Sequence, residues 1–64
     1  MVATTELLHT RIRTLTDDQF HRLRTALKYP NGGVNVADFL PIYNRCVGMG
    51  YGYRKLMMIR HVGR

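Results

Sequence analysis

The sequence predicts an all-α fold, a compact domain of three to four helices formed by residues 1–64 as one unit. Apolar residues recur at helical spacing in successive stretches of the chain, and glycine and proline clusters separate these stretches. A chain of 64 residues buries only about 60% of the surface that its unfolded form exposes. We therefore expect one core of marginal stability.

The first predicted helix covers residues 4–15. Leu8, Ile12 and Leu15 recur at i, i+4 and i+7, which places them on one face of a helix. Arg11 and Arg13 fall away from this apolar stripe. The stripe is the expected contact of the helix with the core.

A second helix is predicted to follow, with Thr16 as its N-cap. Thr16 and Gln19 have the spacing of a capping box, in which each side chain bonds the backbone N–H of the other residue. The helix is expected to stop near Tyr29, because residues 30–33 read Pro-Asn-Gly-Gly, a cluster of helix breakers. Its expected apolar face consists of Phe20, Leu23, Ala26 and Leu27.

A third helix is predicted to start near Asp38, with Asn35 as the alternative cap. Pro41 favours the Asp38 start, because it then lies in the first turn, where its missing N–H is tolerated. Gly48 is the expected C′ residue beyond the helix end. The side chains expected to face inward are Phe39, Ile42, Tyr43, Cys46 and Val47.

The last predicted helix covers residues 53–62, after a connector at residues 49–52. Its apolar stripe consists of Tyr53, Leu56, Ile59 and Val62. Met57 and Met58 lie outside that stripe, so the helix is apolar nearly all round and is expected to touch something on two sides. This favours contact with a second copy or a partner protein; the alternative is that both methionines fill gaps in a loose core. The predicted association surface consists of Tyr53, Met57, Met58 and His61.

The formal charge of +6 is distributed unevenly along the chain. Residues 1–20 hold two basic and three acidic side chains, a net charge of −1. Residues 21–64 hold eight basic side chains and Asp38 as their one acid, a net charge of +7. A one-sided basic surface on a small domain favours a polyanionic partner, with nucleic acid the commonest. The alternative is that the net charge serves solubility alone.

The third and fourth helices, joined by a short glycine-containing turn, have the outline of a helix-turn-helix. In that motif the second helix enters the major groove with its first residues at the base edges, a position that residues 51–55 would occupy. Basic residues elsewhere would reach phosphates. The predicted nucleic-acid-binding residues are Arg22, Arg24, Lys28, Tyr51, Tyr53, Arg54, Lys55, Arg60 and Arg64.

No pattern in the sequence predicts catalysis, a cofactor or a metal. Gly48, Gly50 and Gly52 do not match a phosphate-binding loop, because a helix rather than a strand precedes them. The three histidines and Cys46 lack paired ligand spacing, and Cys46 falls on an apolar helix face, where a thiol is usually inert. We therefore expect a non-enzymatic protein with no small-molecule substrate.

The segment of residues 15–43 resembles an EF-hand. The matching residues are Gly32, Val34, Asp38 and Phe39. The early ligand positions fall on Leu27 and Tyr29, whose side chains cannot bind Ca²⁺. The resemblance implies a calcium-free helix-loop-helix used for packing or protein contact.

The leading functional hypothesis is a small basic nucleic-acid-binding protein, a regulator or accessory factor, that acts mainly through phosphate contacts of its C-terminal half. The alternative is a protein-binding module, an inhibitor or adaptor, that docks on an acidic surface of a larger protein. The surplus apolar surface of the last helix leaves a homo-oligomer open in both cases. No segment predicts a signal peptide or membrane span, and one cysteine fits a reducing compartment, so we expect a cytoplasmic protein.

Overall fold

The computed structural model describes the backbone of residues 4–62 and the side chains of residues 5–61. Over this range the chain forms four α-helices and no strand, which confirms the predicted all-α class. The helices are α1 (Thr4–Thr14), α2 (Asp17–Lys28), α3 (Leu40–Gly48) and α4 (Tyr53–Val62). The Cα radius of gyration is 10.9 Å, as expected for a compact chain of this length.

The four helices share one apolar core. α4 packs against both α1 and α2, and α1 also packs against α3. Each helix contributes one side chain that is fully buried: Ile12, Leu23, Cys46 and Leu56. Around these lie the other members of the buried cluster, which are Leu8, Leu15, Phe20, Phe39 and Ile59.

The predicted junction between α1 and α2 is confirmed. The Gln19 backbone N–H donates to Thr16 Oγ1 at 3.1 Å, and the Thr16 N–H donates to Gln19 Oε1 at 3.0 Å. This capping box satisfies N–H groups that have no partner within the helix. The helix ends at Lys28, with Tyr29 as its C-cap, just before the breaker cluster.

The start of α3 differs from the prediction. A 3₁₀ turn at Ala37–Phe39 precedes α3, and the Asn35 side-chain oxygen accepts from the Ala37 N–H at 3.0 Å. The Asp38 carboxylate caps nothing, because it is bonded to Arg22 instead. Pro41 does lie in the first turn of the α-helix, as predicted.

The end of α3 corrects two further expectations. The Gly50 N–H donates to the Val47 carbonyl and the Tyr51 N–H to the Cys46 carbonyl, which is the bonding of a Schellman motif. Gly50, with φ of 71°, is therefore the C′ residue, and Gly48 is still helical. The Val47 side chain was expected to face inward but is 53% exposed, because it lies on the flank of α3 away from the core.

α4 has the predicted bounds, but its apolar side chains are not buried on all sides. Leu56 and Ile59 are buried, and half-buried Met57 packs against the core. The position of Met57 agrees with the alternative prediction, in which methionine fills a gap in the core. Met58 is 62% exposed. Among the described residues, none of the helices has the length and apolar character needed to cross a membrane.

We predict that alanine at positions 48 and 50 shifts stability in opposite directions. Gly50→Ala forces a Cβ into the left-handed region and should lower the free energy of unfolding by about 1–2 kcal/mol. Gly48→Ala lies in a helix with open space around the added Cβ and should raise it by about 0.5–1 kcal/mol. Urea unfolding measures both changes, and a shift of the same sign in the two variants would contradict the Schellman assignment.

Candidate functional site

Two arginines hold three of the four acidic side chains. Arg60 bonds the Asp17 carboxylate at 2.8 Å. Arg22 bonds Asp18 at 2.9 Å and Asp38 at 2.7 Å. No other ion pair forms among the residues that the structure describes, so the remaining described cations lack an acid in contact. They are Arg11, Arg13, Arg24, Lys28, Arg45, Arg54 and Lys55.

Arg22 fastens α2 to the loop that leads into α3. Its guanidinium donates to both Asp38 carboxylate oxygens, at 2.7 and 2.9 Å, and to the Asn35 carbonyl at 2.9 Å. The plane also lies over the Phe39 ring, 5.2 Å from its centroid. These hydrogen bonds raise the pKa of Arg22 and hold the pKa of Asp38 well below its usual range. The acid that matches an EF-hand ligand thus bonds to an arginine of the same chain.

Arg60 fastens the last helix to the junction between α1 and α2. Its Nη1 donates to the carbonyl oxygens of Ile12 at 3.2 Å and Leu15 at 2.9 Å, which are end groups of α1. Its Nη2 donates to Asp17, and its guanidinium lies 4.6 Å from the Phe20 ring centroid. The predicted phosphate contacts of Arg22 and Arg60 stay predictions, while the structure gives both side chains internal partners.

An open groove of about 210 Å³ runs between α1 and α4. It is lined by His9, Arg13, Lys55, Met58 and Ile59. His9 Nε2 and the Tyr51 hydroxyl are hydrogen-bonded at 2.7 Å, which ties the α3–α4 connector to α1. Partial burial, and then the positive charges of Lys55 and Arg13, lower the pKa of His9. The groove is therefore positively charged, with a neutral imidazole at its side near pH 7.

A second set of basic side chains follows the seam between α2 and α4. Arg24 Nη1 lies 3.4 Å from the Met57 sulfur. The Lys28 ammonium lies 4.9 Å from the ring centroid of Tyr53 and 5.5 Å from that of Tyr29. Arg24 Nη2 also lies 3.1 Å from His21 Nδ1, so the Arg24 guanidinium and the Lys28 ammonium have internal neighbours but no acid in contact among the described residues.

Arg54 connects these two sets. It is exposed on α4, and helix geometry places it about 100° from each of its neighbours, Tyr53 on the α2 side and Lys55 on the α1 side. Positive side chains from three helices therefore surround the outer side of α4. We call the surface formed by Arg13, Arg24, Lys28, Arg54 and Lys55 the basic face.

The other residues that the sequence predicted for a binding surface differ in how deeply they are buried. Tyr51 is half-buried against the core, and Arg64 lies outside the described residues. Of the predicted association surface, Tyr53 and Met57 are half-buried, whereas Met58 and His61 are exposed. Sequence reasoning missed three residues of this region, which are His9, Arg13 and Tyr29. Only the packing of α1 and α2 against α4 brings them there.

Cys46 and a second open groove lie apart from the basic face. The Cys46 thiol is fully buried, and burial raises its pKa to about 11, so it stays protonated at neutral pH. Within residues 5–61, no three histidine, cysteine or acidic side chains gather as a metal site. An open groove of about 240 Å³ between α1 and α3 has apolar walls bordered by Arg11 and Arg45.

Comparison with known proteins leaves this geometry as the basis for function. No protein-family model matches the chain, and no curated protein or solved structure does.

We predict that His9 makes stability depend on pH in the weakly acidic range. Its folded-state pKa lies below its usual 6.5, so the unfolded chain binds the proton more tightly. The resulting stabilisation is complete above the unfolded pKa and is lost as the pH falls through the folded pKa. His9→Gln retains a partner for Tyr51 but does not titrate. Thermal unfolding from about pH 7.5 to about pH 5 should show a steeper fall in Tm for the wild type.

The wild type and the His9→Gln variant differ at residue 9 alone, so every other group contributes to both profiles and cancels from the comparison. Parallel pH profiles of the two proteins would contradict the assigned environment of His9.

Proposed function

We propose that this chain is a small, non-enzymatic nucleic-acid-binding protein, a regulator or an accessory factor, that contacts phosphates through the basic face. One observation carries the proposal: five basic side chains from three helices surround α4, and none of them contacts a described acid. Phosphates would supply the missing negative charge, with the entropy of released counterions as the main driving force.

Internal pairing supports this choice of surface. Three of the four acids are bonded to Arg22 and Arg60: two lie in the first turn of α2 and one lies in the 3₁₀ turn before α3. Their charges are compensated locally, so they do not offset the potential of the basic face through contact. Arg22 and Arg60 themselves are engaged inside the fold, and the proposal does not depend on them.

The helix-turn-helix hypothesis is one way in which this face would bind a duplex. The first turn of α4, with Tyr53, Arg54 and Lys55, would then enter the major groove. α4 packs on α1 and α2, which supports a second mode in which the strand lies across all three helices. Both modes use Arg54 and Lys55, so the first test targets these two residues.

We predict that the double variant Arg54→Gln, Lys55→Gln binds nucleic acid more weakly and with a flatter salt dependence. The log–log slope of affinity against salt should decrease by about 1–2, since each phosphate contact contributes about 0.7–0.9. Fluorescence anisotropy of a labelled oligonucleotide over a salt series measures this slope.

The matched control is Arg11→Gln, Arg45→Gln, which removes the same charge from the α1–α3 side. Its slope should stay close to that of the wild type. Equal effects of the two double variants would mean that net charge, and not the basic face, governs binding. No binding of DNA or RNA by the wild type at low salt would end the proposal.

The alternative is a protein-binding module that docks on an acidic surface of a larger protein. Met58 supports it, because this side chain is 62% exposed amid the basic residues. Apolar contact at Met58, with Tyr53, Met57 and His61 around it, would supply binding energy, and the basic side chains would steer the encounter.

A pull-down after nuclease treatment separates the two functions. For a nucleic-acid binder we expect the co-purifying material to disappear with nuclease. For a protein-binding module, one dominant protein should remain, and Met58→Asp should release it whereas Met58→Leu should not. Capture that survives Met58→Asp would show that the methionine is not the contact. Light scattering of the free chain tests self-association separately.

A further inference from the structure

Two of the four tyrosines have no part in the core. Tyr43 and Tyr51 are half-buried and pack against the core cluster. Tyr29 and Tyr53 do not belong to that packed group, and Tyr29 is 57% exposed. Neither the core nor a described hydrogen bond of the hydroxyl group accounts for these two rings.

A single ammonium joins the two rings. Lys28 Nζ is within cation–π distance of both, at 4.9 Å from Tyr53 and 5.5 Å from Tyr29. The end of α2 and the start of α4 thus form one aromatic corner of the basic face, and we call Tyr29, Lys28 and Tyr53 the tyrosine corner.

Positive charge borders the tyrosine corner on both helices. Arg24 lies one turn before Lys28 on α2, and Arg54 directly follows Tyr53 on α4. No ion pair with a described acid involves either arginine or Lys28. Aromatic faces beside unpaired cations are the combination with which proteins hold unpaired bases together with their phosphates.

The packing of α4 favours a nucleic-acid strand whose base faces are accessible. α4 is bordered by α1 and α2, and its outer row consists of Arg54, Met58 and His61. This arrangement presents a broad surface across three helices, which a flexible strand can follow. In a duplex the base faces are stacked on one another and cannot reach a tyrosine ring.

We propose that the tyrosine corner binds unpaired bases, so that the ligand of the basic face is single-stranded nucleic acid and not duplex. The inference rests on the proposed function of that face. One base stacks on Tyr29 and the next approaches Tyr53, while Lys28, Arg24 and Arg54 contact the adjoining phosphates.

The test compares three labelled probes of about 12 nucleotides, a length that spans one small binding site. They are a single strand of mixed sequence, the same backbone with abasic sites throughout, and the duplex of the first strand. Anisotropy at about 50 mM salt, where phosphate contacts are strong, measures their affinities. We expect the single strand to bind more tightly than either the abasic strand or the duplex.

Tyr29→Ala should weaken binding of the single strand about 5- to 100-fold, the loss expected for one base–aromatic stack. Binding of the abasic strand should be unchanged within about twofold, because its phosphates remain. Tyr29→Phe keeps the ring and should bind like the wild type. Lys28→Ala should weaken binding of both strands alike. The exposed position of Tyr29 makes unfolding a minor concern, and circular dichroism melting of each variant checks it.

The outcomes separate this inference from the proposed function. If wild-type protein binds the abasic strand or the duplex as tightly as the single strand, the tyrosine corner does not bind bases, while the basic face still binds phosphates. If Tyr29→Ala lowers affinity for all three probes equally, its effect is not stacking and the inference is overturned. If no probe binds, both proposals fail.

Discussion

The position of α4 between α1 and α2 is the constraint on which the rest of the structure depends. A chain of this size needs α4 to close its core, and Leu56 and Ile59 supply that closure from one side of the helix. The opposite side must then face solvent. Because Arg54 and Met58 lie on that side, the contact that completes the core also exposes the charged and apolar groups available to a partner.

The use of arginine inside the fold determines the electrostatics outside it. Arg60 donates to carbonyl groups at the end of α1, and Arg22 donates to the loop before α3. Each guanidinium thus links two elements by charge-assisted hydrogen bonds, in addition to the packing of the small core. In doing so the two arginines engage Asp17, Asp18 and Asp38. The basic side chains around α4 therefore have no described acid in contact.

Local chemistry in the sequence predicts the helices well but predicts the site only in part. The Thr16–Gln19 capping box and the breakers after Tyr29 act over a few residues, so they can be recognised directly. Gly48 and Gly50 are both suitable C′ residues, and the sequence alone does not distinguish them. Other features depend on contacts between distant parts of the chain, which neither periodicity nor composition encodes. They are the hydrogen bonds of Arg22 and Arg60 to other elements and the positions of Arg13 and Tyr29 beside α4.

The gathering of like charge on a domain with a small core has an energetic consequence. Repulsion among basic side chains of one face opposes the compact state. At His9, where partial burial is the main cause of the lowered pKa, the positive charges of Lys55 and Arg13 lower it further. A bound polyanion, as the proposed function requires, would remove this repulsion and, by mass action, stabilise the folded chain. Under the proposed function, ligand binding and folding would be coupled through the same residues, because the charges that repel one another around α4 are those that would contact a phosphate backbone.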